Sequence, residues 1–181
     1  MKTNPRSGHA AFSLVELLTV IAIIAILAAL TISGMGFVQD YQARKKAQIQ
    51  IQMLSKALED YKLDYGSYPA TTDSADGSGN SQILFKALYN DGANDTTKKI
   101  YISELDPVNN KQGWTTGVAS DSTKITDPWG SEYRYRSAFN SASKANTNTR
   151  NPDFDLWSCG KDGKTSNDAS NSFAKDDIWN K

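Results

Sequence analysis

Between Leu17 and Gln39 the chain carries no charged residue, and Leu17 to Met35 is almost wholly aliphatic or small. Such a run is long enough to cross a bilayer as a helix, which takes about 20 apolar residues. Lys2 and Arg6 flank it on the N-terminal side, and no comparable basic cluster follows until Arg44, Lys45 and Lys46. The leading basics favour a cytoplasmic N-terminus, while the second cluster pulls the other way. An ordinary secretory signal has an apolar core of about 7–15 residues with a small-x-small cleavage site behind it. Here the core is longer, and Ala28-Ala29 lies inside it.

A carboxylate interrupts the start of the run, Glu16 in Phe12-Ser13-Leu14-Val15-Glu16-Leu17-Leu18. At bilayer depth a carboxylate costs about 2.5–3.5 kcal/mol even on lenient insertion scales, so a partner is expected. Cleavage between Ala11 and Phe12 would create one, an α-amine of pKa about 7.7–8.0 that is largely cationic at neutral pH. Glu16 of one subunit would then neutralise the Phe12 amine of a neighbour, turning a burial penalty into a signal for stagger between copies. The alternative is a Glu that snorkels at the membrane edge.

The segment Phe12-Ser13-Leu14-Val15-Glu16-Leu17, followed by the Ile/Ala-rich run, resembles the class III signal of type IV pilins and pseudopilins. The resemblance implies a prepilin peptidase that cuts between Ala11 and Phe12 and methylates the Phe12 amine, with Glu16 required at its position. The family usually has Gly before the cut. This chain has Ala11, and Gly8 stands three residues earlier.

Beyond Asp40 the pattern becomes amphipathic. Ala43, Ala47, Ile51, Leu54, Leu58, Tyr61 and Tyr65 recur at spacings of four and three, which draws one apolar stripe along a helix. Gly66 suits the left-handed residue after its end, and Pro69 prevents resumption. A helix from Phe12 to Tyr65 would have 54 residues, about 80 Å at 1.5 Å each. Gly34 and Gly36 are its weak point, as a place to unwind or as close helix packing.

The remainder reads as a small head. Thr71–Ser81 is built of turn formers, Gln82–Asn90 suits a short helix, and Tyr101-Ile102 with Leu105 suits a packed turn. Glu132–Ser137 alternates aromatic and basic residues, and Phe154–Ser158 alternates apolar and polar ones, as strands do. Asp127-Pro128-Trp129-Gly130 is a turn ahead of the first, and Ala138–Pro152 a polar loop between them. The expected fold is α+β: a leader over residues 1–11, a membrane or filament-core helix over 12–38, an amphipathic helix over 39–66, and a head over 67–181 whose small antiparallel sheet packs on the stripe.

Three segments narrow the resemblance to the major pseudopilins of type II secretion: Ala57 to Pro69, Asp127 to Tyr133, and Phe154 to Gly163 (FDLWSCGKDG). What it implies is a type IV pilin-like fold and a homo-oligomeric periplasmic filament that drives folded proteins through an outer-membrane channel. The implied partners are the prepilin peptidase, an inner-membrane assembly platform and other pilin-like subunits. The implied location is the inner membrane, crossed once, with the head in the periplasm. It also implies calcium in the C-terminal loop, with Asp162 and the pair Asp176-Asp177 as ligands. The Asp162–Asp176 interval is longer than usual, so Asp168 or Asn167 is an alternative donor. Hard carboxylate and carbonyl oxygens suit Ca²⁺, and a solvated acidic loop is the plainer reading.

Charge and composition remove other classes. Twenty basic residues balance twenty acidic ones, which gives no reason to expect a nucleic-acid partner. The single His lies at position 9, in the leader, and Cys159 stands alone, so neither His-based catalysis nor an internal disulfide is expected. A type IV pilin, a minor pseudopilin, or an uncleaved membrane-tethered head that stacks glycans on its tryptophans are the competing readings.

Overall fold

The computed structural model describes residues 12–72, 74, 76–109, 112–115, 119–140, 142–168 and 170–180, the side chains of 32–35 excepted. Ala11, on the leader side of the expected cut, lies outside them. The chain divides into two units, Met1–Asp40 and Tyr41–Lys181.

In the first unit, helix α1 (Leu14–Tyr65) begins. Its start is fixed locally: the Ser13 hydroxyl accepts from the Val15 amide at 3.3 Å, and the Ser13 amide donates to Glu16 Oε2 at 3.0 Å. That reciprocal pair is a capping box, satisfying donors that the first turn otherwise leaves unmet. The large apolar side chains from Leu14 to Leu30 are all exposed.

In the second unit, the stripe on α1 makes one side of the core. Ala47, Ile51, Leu54, Ala57 and Leu58 are buried against Leu84, Leu88, Leu105, Ile125 and the strands. Gln50 is buried beside them because the Tyr133 hydroxyl donates to its Oε1 at 2.6 Å. The stripe fades at its ends. Ala43 is half-buried, and Tyr65 is exposed, stacked on Tyr61 at 4.4 Å. Gly66 follows at φ +79°, the left-handed conformation its place requires.

The short helix expected over Gln82–Asn90 is longer and changes type. It comprises α2 (Ser81–Phe85), a π turn over Lys86–Asn90 and α3 (Asp91–Asn94). The Leu88 carbonyl is drawn out to accept the Tyr101 and Ile102 amides at 2.9 and 3.3 Å, which seats the turn before Ser103–Leu105. Gly92 permits this approach: a Cβ there would stand 2.6 Å from the Lys99 carbonyl oxygen.

The sheet has three antiparallel strands in the order β1 (Arg134–Ser137), β2 (Phe154–Ser158), β3 (Ile178–Trp179). Tyr135 faces Leu156 and Arg136 faces Asp155 in the β1–β2 register. Tyr133, Tyr135, Phe154 and Leu156 join the core with the helix. The opposite face is covered as well: β2 is buried at every position and β1 at three of four. The C-terminal chain covers it. Arg136 donates to Asp155 Oδ2 at 3.2 Å and to Asn167 Oδ1 at 2.9 Å, with both side chains of the ion pair fully buried. Asp155 also accepts the Arg150 amide at 2.8 Å and the Asn151 amide at 2.9 Å. Above the pair runs a column. The Arg136 guanidinium lies 4.7 Å from the Trp157 ring, Trp157 stacks on Trp179 at 4.3 Å, and Arg150 caps Trp179 at 3.9 Å.

Candidate assembly segment and metal loop

Of the residues expected to act in processing and assembly, Phe12 stands two residues before α1 and is 81% exposed, and Glu16 lies in the exposed first turn of α1. The structure gives Glu16 a partner within its own chain, the Ser13 amide. Ser-x-x-Glu ahead of an apolar run is a capping-box signature, and it was legible in Ser13 to Glu16. One such bond leaves a carboxylate with further acceptor capacity, so the cap and a neighbour's amine are compatible.

At the other end of the chain, Gly160 opens a tight turn at φ +65°. Its missing Cβ makes room for Asp176, whose carbonyl oxygen and Oδ2 would both stand 2.5 Å from one. Asp176 Oδ2 accepts the Asp162 amide at 3.2 Å, which ties the two acidic positions together. The Asp162 carboxylate itself accepts the Lys164 amide at 2.8 Å. Asp177 Oδ2 accepts the Thr165 hydroxyl at 2.7 Å, and Thr165 Oγ1 accepts the Trp157 indole N–H at 2.9 Å. Burial pushes the Asp177 carboxyl up to about 6, and the charges of Asp176 and Asp162 add to the rise.

The alternative donors point elsewhere. Asn167 Oδ1 is taken by Arg136, and Asp168 closes a turn on Ser170 with bonds of 2.9 and 2.7 Å. Among the described residues no three His, Cys, Asp or Glu side chains form a ready ligand cluster. A cation nevertheless suits the donors present. Asp177 Oδ1 is buried with no hydrogen-bond partner among the described residues. Such an orphaned oxygen is costly unless something positive meets it, and the neighbouring donors are all hard oxygens.

The other reactive or sticky groups are structural. Cys159 is fully buried beside Arg134 Nε, and burial pushes its thiol up to about 11. Trp114 and Trp157 are buried, Trp179 is stacked, and Trp129 packs against the core. Asp127 holds its turn by accepting the Trp129 and Ser131 amides at 3.1 and 2.9 Å and the Ser158 hydroxyl at 2.5 Å. Burial raises its carboxyl above the ordinary range.

Comparison with known proteins bears on both ends. The family type II secretion system protein G matches residues 37–82 and 102–177, and the prokaryotic N-terminal methylation motif matches residues 6–32. The type II secretion system core protein G of Pseudomonas aeruginosa is 30% identical over 159 residues, 88% of each chain. That of Escherichia coli K12 is 27% identical over 122 residues, 67% of this chain and 68% of its own. That of Klebsiella michiganensis is 36% identical over 66 residues, 36% of this chain and 46% of its own. With a methylation motif at one end, an α+β head built on its helix, and protein G likeness across most of its length, the chain belongs to the type II secretion protein G family, the major pseudopilins.

Proposed function

We propose that this chain is the repeating structural subunit of a type II secretion pseudopilus, a periplasmic filament that drives folded proteins across the outer membrane. One observation carries the reading beside the family membership. The helix α1 is long and apolar enough to cross a bilayer, and its large apolar side chains from Leu14 to Leu30 are all exposed. A surface of that kind needs lipid before assembly and other subunits after it.

In this reading the prepilin peptidase removes residues 1–11 and methylates Phe12, and the subunit waits in the inner membrane with its head in the periplasm. The assembly platform and other pilin-like subunits then build it into the filament. Glu16 meets the Phe12 amine of a neighbour while keeping its cap on Ser13. The role is scaffolding rather than catalysis. Calcium would be held by Asp162, Asp176 and Asp177, where its charge would offset three neighbouring carboxylates and fasten a loop that has no disulfide.

Intact-mass analysis of the chain extracted from membranes tests the core of this. A species that begins at Phe12 and carries one added methyl is expected. A species that retains Met1 would overturn it.

A further inference from the structure

The filament role leaves one feature without a purpose. Between Asp40 and Glu59, α1 carries Arg44, Lys45, Lys46 and Lys56 and no acid. On the membrane-inserted reading, the first three follow the apolar run on the translocated side, where basic residues are disfavoured. They do not lie on a plain solvated face. Lys45 and Lys46 border a groove of about 490 Å³ within the head unit, between α1 and the 104–114 segment. Its floor is apolar: Tyr41, Ile49, Met53 and Trp114. Tyr41 and Ile49 are each 57% exposed, so the core does not use them.

The rim is held in place. The Lys46 ammonium donates to the Gln112 carbonyl at 2.8 Å, and an ammonium has three donors. The Lys45 ammonium stands 5.6 Å from the Tyr41 ring centre. Glu104 is the acid on the wall, and the Ser103 hydroxyl donates to it at 3.2 Å. Cations at the rim of an uncovered apolar floor match an amphiphile with an anionic head. A soluble anion would gain nothing from the floor. The apolar helix of a second copy would strand both ammonium groups against hydrocarbon, which is costly.

We propose that this groove seats the headgroup of an anionic phospholipid drawn from the membrane that α1 enters. Lys45 and Lys46 take the phosphate, and Tyr41 and Ile49 take the glycerol and first methylenes. In sequence only Gln39 and Asp40 separate the end of the apolar run from Tyr41, so lipid is at hand in any inserted subunit. The inference rests on the membrane-inserted reading above. A bound headgroup would supply countercharge for basic residues on the unfavoured side, and would have to be released when subunits pack.

Native mass spectrometry of the full processed chain in detergent tests it, with phosphatidylglycerol and phosphatidylethanolamine of identical acyl chains offered in equal amounts. Phosphatidylglycerol adducts are expected to exceed the others about tenfold or more, since each basic residue near anionic lipid contributes on the order of 1 kcal/mol. Lys45→Gln with Lys46→Gln should bring the ratio close to one. Ile49→Ser should weaken both adducts and keep the preference. Equal adducts on the unaltered chain, or a preference that survives the double substitution, would overturn the proposal. So would displacement of the lipid by millimolar inorganic phosphate, which would assign the site to a soluble anion. Absent lipid preference together with failed filament assembly in Ile49→Ser would give the groove to a second copy. Resistance of the chain to carbonate extraction reads insertion separately, so an inserted chain without preference sinks this inference alone.

Discussion

Replacing Asp155 with Ala should be among the most damaging single changes in the head. Its carboxylate receives the Arg136 guanidinium at 3.2 Å, the Arg150 amide at 2.8 Å, and both the amide and side-chain nitrogen of Asn151 at 2.9 and 3.1 Å. The Arg136 and Asp155 side chains have no solvent exposure, so truncation leaves an uncompensated cation inside the protein. Breaking such a pair from one side costs about 3–5 kcal/mol. That is a large part of the 5–15 kcal/mol that holds a typical domain together. With a urea slope of about 2 kcal/mol per molar, the midpoint should fall by roughly 1.5–2.5 M. Asp155→Ala combined with Arg136→Met removes the stranded charge and should recover part of the loss. Full recovery is not expected, because the Arg150 and Asn151 amides stay without their acceptor, at about 1–3 kcal/mol each. The assay is urea unfolding of the unit Tyr41–Lys181, followed by circular dichroism. A loss below about 1 kcal/mol for Asp155→Ala, or a double variant no better than the single, would refute the buried-pair reasoning.

Glu16→Gln separates the two jobs assigned to that residue, because Gln at this position keeps the capping box and discards the charge. Filament assembly should fail in this variant while membrane insertion persists; normal filaments would reduce Glu16 to its cap. Chelator should lower the melting temperature of the wild-type protein by several degrees and leave Asp177→Asn little changed, and equal shifts in both would count against calcium at this loop. Gly160→Ala should destabilise the head by more than the usual Gly-to-Ala change, since its Cβ would strike Asp176 at 2.5 Å from a left-handed backbone. It should also abolish the chelator response. Cys159, fully buried with its thiol pushed up to about 11 by desolvation, should resist alkylation at neutral pH until urea opens the head. Rapid labelling of the native protein would contradict that burial.

The parts of this fold that were readable in advance are those whose signal is local and repeated. The uncharged run after Glu16 and the fours and threes of Ala47, Ile51, Leu54 and Leu58 determine one helix and its buried face. The glycines at 66 and 130 mark turns because their positive φ angles tolerate little else. What escaped reading depends on pieces distant in sequence. The strand Ile178–Trp179 has only two residues, too few for any period to show. The alternation in Glu132–Ser137 marks a strand but does not say whether Arg134 and Arg136 meet water. The chain from Arg150 onward covers that face, and the Asp155 partner lies on another strand. Within the π turn at Lys86–Asn90 the Leu88 carbonyl accepts two amides from the loop at Tyr101 and Ile102, a pairing that no local pattern records. At the candidate sites, Glu16 stood out because a charge interrupts an apolar run. Asp162, Asp176 and Asp177 came through the family resemblance alone. The orphaned oxygen that supports them appears only once the loop is folded.

The column of Arg136, Trp157, Trp179 and Arg150 has an optical consequence. Two indoles 4.3 Å apart and within 8° of parallel have coupled transition dipoles, and their excitations split. Such a stack gives an exciton couplet in ultraviolet circular dichroism when the long axes of the two rings are twisted in plane, with a sign set by the hand of that twist. One ring sits on the central strand and the other on the last strand, just beyond the acidic loop. Anything that loosens that loop and lets Trp179 leave should erase the couplet while the helical signal persists. An unlabelled protein would then report, by colourless light alone, whether its C-terminus is closed.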